Sequence, residues 1–145
     1  MAEAAVAPLP IVPYLKIPES GAPYLEGIKC KACSEVFIGQ GRLTAGKHVC
    51  QKCGAIEQME TVKLGNTGKL YNYTVVHRSF PGVKTPFISA IVDLDGGGSI
   101  RGNLINVEPT PEAIKFDTPV KVVYEIAPAK DKEGNSYLSY YFTPA

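Results

Sequence analysis

The four cysteines of the chain stand in two pairs, Cys30-x-x-Cys33 and Cys50-x-x-Cys53, with sixteen residues between the pairs. Two intervening residues is the spacing at which a tight turn aims both thiolates at one ion. Two such turns complete the closed four-sulfur shell that structural zinc takes. The expected ligands of Zn2+ are therefore Cys30, Cys33, Cys50 and Cys53. A knuckle of this kind needs a left-handed residue after its second cysteine. Gly54 meets that need freely, whereas Ser34 carries a Cβ and fills the equivalent place at a penalty. Tetrahedral iron uses the same thiolates, so ligand type alone leaves zinc against iron open.

Other cysteine chemistry is poorly served by the surroundings. A redox Cys-x-x-Cys would stand alone at a strand-to-helix turn, and here there are two pairs with no helix-like run after either. A disulfide framework needs an oxidising compartment, but the N-terminus lacks a basic start and an unbroken apolar run, being interrupted by Pro8, Pro10, Pro13 and Pro18. A cytoplasmic setting is the expectation. With every sulfur on the metal, no thiolate is left to act as a nucleophile, and four ligands leave no open position for water or substrate. His48, in the loop between the pairs, and His77, in the run Tyr73-Thr74-Val75-Val76-His77-Arg78, have no Ser or Asp at triad spacing. No catalytic residue is expected in this chain.

The elements that must position the cysteines follow from composition. With 145 residues, 45% hydrophobic and 20% charged, the chain is long enough for one modest core beside a metal-stapled unit. No segment approaches a membrane span. Four thiolates and one divalent ion take the formal net charge from +1 to −1. A near-neutral chain argues against a nucleic-acid binder held by bulk charge.

Three regions are expected. Residues 1–27 hold five of the twelve prolines among Ile11, Val12, Tyr14, Leu15, Ile17, Tyr24 and Leu25, which excludes a long helix and predicts an extended arm packed on its own domain or on a partner. Residues 28–57 are the zinc ribbon, and residues 58–145 a β-rich unit. In the latter, Leu70–Phe80, Phe87–Leu94 and Ile100–Val107 read as a three-stranded meander broken at Pro81-Gly82 and Asp95-Gly96-Gly97-Gly98. Pro109–Ile114 predicts a short helical turn capped by Thr110. Val120–Ala127 and Ser136–Phe142 close the series. Three strands, a short helical element and two strands is the order of a five-stranded OB-fold barrel, with Gly65 and Gly68 as candidates for a bulge in its long first strand. The predicted class is mostly β: a rubredoxin-like ribbon, then the barrel.

Ribbon and barrel together resemble a known family. The cysteine pairs, Gly68–Arg78, Ile91–Leu94, Ile100–Leu104 and Thr118–Tyr124 are similar to the acyl-CoA-associated family that joins a rubredoxin-like zinc ribbon to an OB-fold, over about residues 25–145. The resemblance implies a small, non-catalytic partner of thiolase-fold enzymes, or of some CoA-thioester hydratases, working in a hetero-oligomer. In that setting a CoA thioester is the substrate of the complex, a thiolase-fold catalytic subunit performs the thiolytic cleavage of a 3-oxoacyl-CoA, and known pathways include anaerobic aromatic degradation. Three departures stand out: Ser34 replaces the usual Gly after the first pair, a longer segment, Phe37–Lys47, precedes the second, and the N-terminal segment, usually a helix, is broken here by prolines. Lys29, Lys31, Lys47 and Lys52 flank the thiolates, where they offset the charge of the zinc centre; plain solvated lysines and contacts to CoA phosphates are the alternative readings. The competing class is a single-stranded nucleic-acid binder, with Tyr71, Tyr73, Phe87, Tyr137 and Tyr141 as stacking platforms on the barrel.

Overall fold

The computed structural model describes residues 7–38, 42–44 and 46–145, with the backbone alone at 42–44. The expectations for residues 1–6 of the arm, and for Gly39–Gly41 and Ala45 of the long segment between the cysteine pairs, lie outside the described residues. The C-terminal unit is built from β8 (Thr67–Val76), β9 (Phe87–Leu94), β10 (Ser99–Leu104), β11 (Pro119–Ile126) and β12 (Tyr137–Pro144). Alternation sets their inner faces. Ile88, Ala90, Val92 and Leu94 of β9 are all buried, as are Val120 and Val122 of β11. β9 pairs antiparallel with β8 and β10, β11 pairs antiparallel with β8 and β12, and β10 closes on β12 in parallel at Asn103↔Tyr141 and Leu104↔Phe142. That closure makes the five strands an OB-fold barrel. Phe142, fully buried, sits in its core with Leu70, Ile100 and Leu104.

Two local expectations fail. The bulge in β8 falls between Leu70 and Asn72, at Tyr71, and not at Gly65 or Gly68. Those glycines answer a different need, close approach of backbones. A Cβ on Gly65 would lie 2.6 Å from the Asp95 carbonyl oxygen, and one on Gly68 would collide with that of Asp93. The helical element at Pro109–Ile114 is instead a single turn, closed by the Ala113 N–H on the Thr110 carbonyl at 3.1 Å. Ile114, at its end, is buried in the barrel core.

The N-terminal segment is stitched to the barrel. β1 (Leu9–Pro10) runs parallel to β12, with the Leu9 N–H donating to Ser136 O and the Ile11 N–H to Leu138 O, both at 3.0 Å. β2 (Leu15–Lys16) pairs with β3 (Tyr24–Cys30), placing Leu15 opposite Leu25. Both leucines are fully buried and belong to the same core as the barrel strands. The Tyr14 hydroxyl donates to the Tyr140 oxygen at 2.9 Å, and Tyr140 donates in turn to the Arg101 carbonyl. Prolines that forbid a helix thus leave an extended strip in which Leu15 and Leu25 enter the barrel core and Val12 and Tyr14 pack against it, while Leu9, Ile11 and Ile17 stay exposed.

β3 is also the central strand of the ribbon sheet, flanked by β4 (Val36–Ile38) and β7 (Met59–Lys63). β5 (Arg42–Thr44) and β6 (Lys47–Val49) form a separate hairpin. Strand pairing at the ribbon therefore reaches outside residues 28–57 in both directions. Ribbon and barrel meet where β4 abuts the β9–β10 turn. Gly97 and Gly98 have positive φ there, and a Cβ on either would press on Val36 at 3.0 Å or Ile38 at 3.2 Å.

Candidate metal centre and barrel face

Two knuckles with the same backbone geometry bring the four sulfurs together. In the first, the Cys30 carbonyl accepts from Ser34 N–H at 2.8 Å and the Cys30 N–H donates to Glu35 O at 2.9 Å. In the second, Cys50 makes the matching bonds to Gly54 at 3.0 Å and Ala55 at 2.9 Å. Ser34 and Gly54 both adopt left-handed backbone, with φ of 67° and 79°. The turn thus has the form expected from the sequence, including the strained serine. Cys30 ends β3 and Cys50 follows β6, so each knuckle hangs from a hydrogen-bonded strand.

All four Sγ atoms lie within 4.8 Å of one another, with Cys30–Cys53 at 3.7 Å and Cys33–Cys50 at 3.6 Å. Zinc–sulfur bonds of about 2.3 Å imply a tetrahedron with edges of about 3.8 Å. The donor set fits a tetrahedral thiophilic ion. Cys30 and Cys50 are buried, Cys33 is half-buried and Cys53 exposed, so the site has a dry side and a wet side. Among themselves the sulfurs compete for charge. Cys50 is held down to about 6, first by the backbone N–H of Cys53, which lies 3.5 Å from its sulfur. Cys33 is pushed up to about 12: the Glu35 N–H draws it down, but burial and the sulfurs of Cys50, Cys53 and Cys30 outweigh that bond. Only a cation at the centre lets all four ionise together.

The flanking lysines are not equivalent. Lys52 of the second knuckle donates to Glu35 of the first at 2.9 Å, and that bond is the main reason its pKa is raised; Cys33 and Cys50 add smaller pulls. Its first partner is therefore a carboxylate, with the thiolates behind it. Lys29 lines a cleft of about 210 Å³ between ribbon and barrel, with Lys63 and Asp95, whereas Lys31 and Lys47 are exposed. Neither histidine joins the cysteine cluster. His48 is half-buried, its backbone N–H donating to the Glu57 carboxylate at 2.9 Å, and His77 is exposed beyond the end of β8.

A second concavity lies on the outer face of the barrel. It is a groove of about 270 Å³ between Asn72, Thr74 and Val76 of β8, Ser89 and Ile91 of β9, and Arg101 of β10. The register explains it: Asn72, Ile91 and Arg101 face one another across the strands, as do Thr74 and Ser89. Arg101 donates its Nε–H to Ser89 Oγ at 3.3 Å. Sequence reading missed this group, although the outward positions of three strands already carried the signal. Of the five aromatic residues considered as stacking platforms, Tyr71 is exposed. Tyr73 packs on Phe116 with ring centroids 5.5 Å apart, and Tyr137 donates to Asp131 at 2.8 Å. Phe87 and Tyr141 are half-buried.

Comparison with known proteins addresses the chain as a whole. Residues 61–125 match the family model described as ChsH2, C-terminal OB-fold domain. A protein of Thauera aromatica described as benzoylsuccinyl-CoA thiolase subunit BbsA is 31% identical over 130 residues, covering 88% of this chain and 82% of that one. The chain belongs to the acyl-CoA-associated OB-fold accessory family. A DUF35 domain-containing scaffold protein of Methanocaldococcus jannaschii is 28% identical over 123 residues, 83% of this chain and 81% of that one. The solved structure of an Ltp2–ChsH2(DUF35) aldolase superimposes with a TM-score of 0.59 at 27% identity, covering 83% of this chain and 84% of that one.

Proposed function

We propose that this protein is a non-catalytic, zinc-binding accessory subunit of a heteromeric thiolase-fold enzyme acting on CoA thioesters. The observation that carries the reading is the likeness, over most of both chains, to a protein described as a subunit of benzoylsuccinyl-CoA thiolase. Convergence of all four cysteines on one point supports it, because it assigns each thiol to a scaffold and none to nucleophilic attack. In this reading Cys30, Cys33, Cys50 and Cys53 hold Zn2+, whose binding supplies folding energy to the ribbon, on the order of 10 kcal/mol in isolated zinc peptides. The thiolase-fold partner contributes the nucleophile and the acid–base groups for thiolytic cleavage of a 3-oxoacyl-CoA in the cytoplasm. This chain completes or orders the acyl-CoA site for C–C cleavage or condensation. Ordering raises turnover only where it favours the reacting geometry.

The test is reconstitution. The chain is co-expressed with the thiolase-fold subunit of its source organism, and thiolytic turnover is measured for the complex and for each part. Activity confined to the complex, with one zinc per copy of this chain, is the expected result. Full turnover by the thiolase-fold subunit alone would overturn the proposal.

A further inference from the structure

The loop between β8 and β9 is ten residues long, His77–Pro86, and every one of them is exposed. Phe80 is 84% exposed, more than any other large hydrophobic residue described, and Val83 is 48% exposed. A flexible tail could shed this cost by folding over, but the tip is held in a tight turn. The Val83 N–H donates to the Phe80 carbonyl at 3.1 Å, Pro81 fixes φ, and Gly82 takes φ of 88°. The phenyl ring is presented, not merely left outside.

Charge around this knob has one sign. Arg78 and Lys84 flank it, and the segment 77–86 contains no acidic residue. The loop departs from Val76, which lines the groove holding Arg101. Arg78, Lys84 and Arg101 make no ion pair among the described residues. With Nε–H tied to Ser89, Arg101 keeps its two terminal nitrogens free for a bidentate carboxylate. The chain is close to neutral overall, so these cations beside an apolar tip are a local feature.

We infer that the His77–Pro86 loop is the anchor by which this chain docks on its catalytic subunit, with Phe80 and Val83 entering an apolar pocket rimmed by carboxylates that meet Arg78, Lys84 and Arg101. The inference rests on the accessory-subunit reading and locates its interface. A rigid, solvated aromatic residue buried at the centre of a contact is the usual form of a binding hot spot, and a preordered loop lowers the entropic cost of docking. The cations set the approach rate and the orientation.

The experiment measures binding of the full, zinc-loaded chain to the thiolase-fold subunit by titration calorimetry and surface-bound kinetics. Phe80→Ser is expected to leave the β-sheet circular dichroism and melting temperature unchanged while weakening binding tenfold or more. Arg78→Glu with Lys84→Glu is expected to slow association and flatten its salt dependence. Wild-type binding that Phe80→Ser leaves intact overturns the docking assignment and spares the accessory role. No binding by the wild type sinks both. Self-association of the isolated chain that Phe80→Ser abolishes, seen by sedimentation, assigns the loop to a second copy and overturns the inference.

Discussion

Replacing Leu15 by Ala tests whether the proline-rich N-terminal segment is part of the folded unit. Leu15 has no exposed surface, faces Leu25 across the β2–β3 pair, and shares one core with Leu70, Val92 and Phe142. Truncating a buried leucine forfeits its transfer energy and leaves a cavity, together about 3 kcal/mol within a range of roughly 2–5. For a chain of this size each kcal/mol moves the melting temperature by about 3–4 °C, so a fall of about 10 °C is expected. Leu9→Ala is the control, because Leu9 is 44% exposed and its stitching to β12 runs through backbone atoms. That change is expected to cost under about 1 kcal/mol. Urea melts read by circular dichroism, with the slope compared between variants, separate the two. Equal, small effects of both substitutions would refute the reasoning, since they would mean that the segment frays in solution and that Leu15 spends its time in water.

Three further outcomes are expected. Cys50→Ala releases zinc, measured by metal analysis, and abolishes activation of the partner while the far-ultraviolet signal of the barrel persists; loss of that signal would show that ribbon and barrel fold as one unit. Gly54→Ala places a Cβ at φ of 79° and lowers stability by about 1 kcal/mol, whereas Ser34→Gly, at φ of 67°, relieves strain and raises it by a few tenths, both read from thermal melts with zinc present. Asp131 is held down to about 2, first by the Asn135 side-chain amide and then by the Asn135 N–H, with Tyr137 and Glu133 adding to the pull. The carboxylate therefore contributes stability above its ordinary pKa of 3.8, and that contribution disappears as pH falls towards 2. Asp131→Asn is expected to remove this acid sensitivity from the Asn135 and Tyr137 resonances.

What the sequence made legible was whatever depends on local spacing. The cysteine pairs, the left-handed positions after them and the bounds Phe87–Leu94 of β9 follow from turn chemistry and period-two alternation, each of which needs only neighbouring residues. The bulge at Tyr71 was illegible, because it is set by how β8 must pair with β9 and β11 at once. Glycine is the residue that a bulge favours, so Gly65 and Gly68 drew attention to the wrong place. Their true constraint, a backbone oxygen where a Cβ would sit, comes from Asp95 and Asp93, at and just past the end of β9. Pro109–Ile114 had the cap and the proline of a helix but too few residues to propagate one, and it closes as a single turn with Ile114 buried at its end. Arg101 was passed over because a single arginine in a strand carries no motif; its meaning comes from the Ser89 hydroxyl that orients it.

The path of β3 joins the cysteine cluster to the barrel core. At one end of this strand Leu25 is locked in the barrel core opposite Leu15, and at the other Cys30 enters the sulfur cluster. Between them lies Gly27, where a Cβ would meet the Phe37 carbonyl oxygen at 2.6 Å and Leu64 at 2.8 Å, so β4 and the start of the barrel close on the strand from two sides. A metal bound at the cysteines would hold Cys30, whereas Leu25 is held by apolar burial, so metal loss is expected to loosen the knuckles before the barrel end of β3. Val36 and Ile38, pressed on the β9–β10 turn at Gly97 and Gly98, carry the same dependence from the other side. The expected outcome is a ribbon that loses its shape while the barrel keeps its own. A ribbon that holds its shape fixes the orientation of β4 against that turn, and with it the placing of the ribbon beside the barrel.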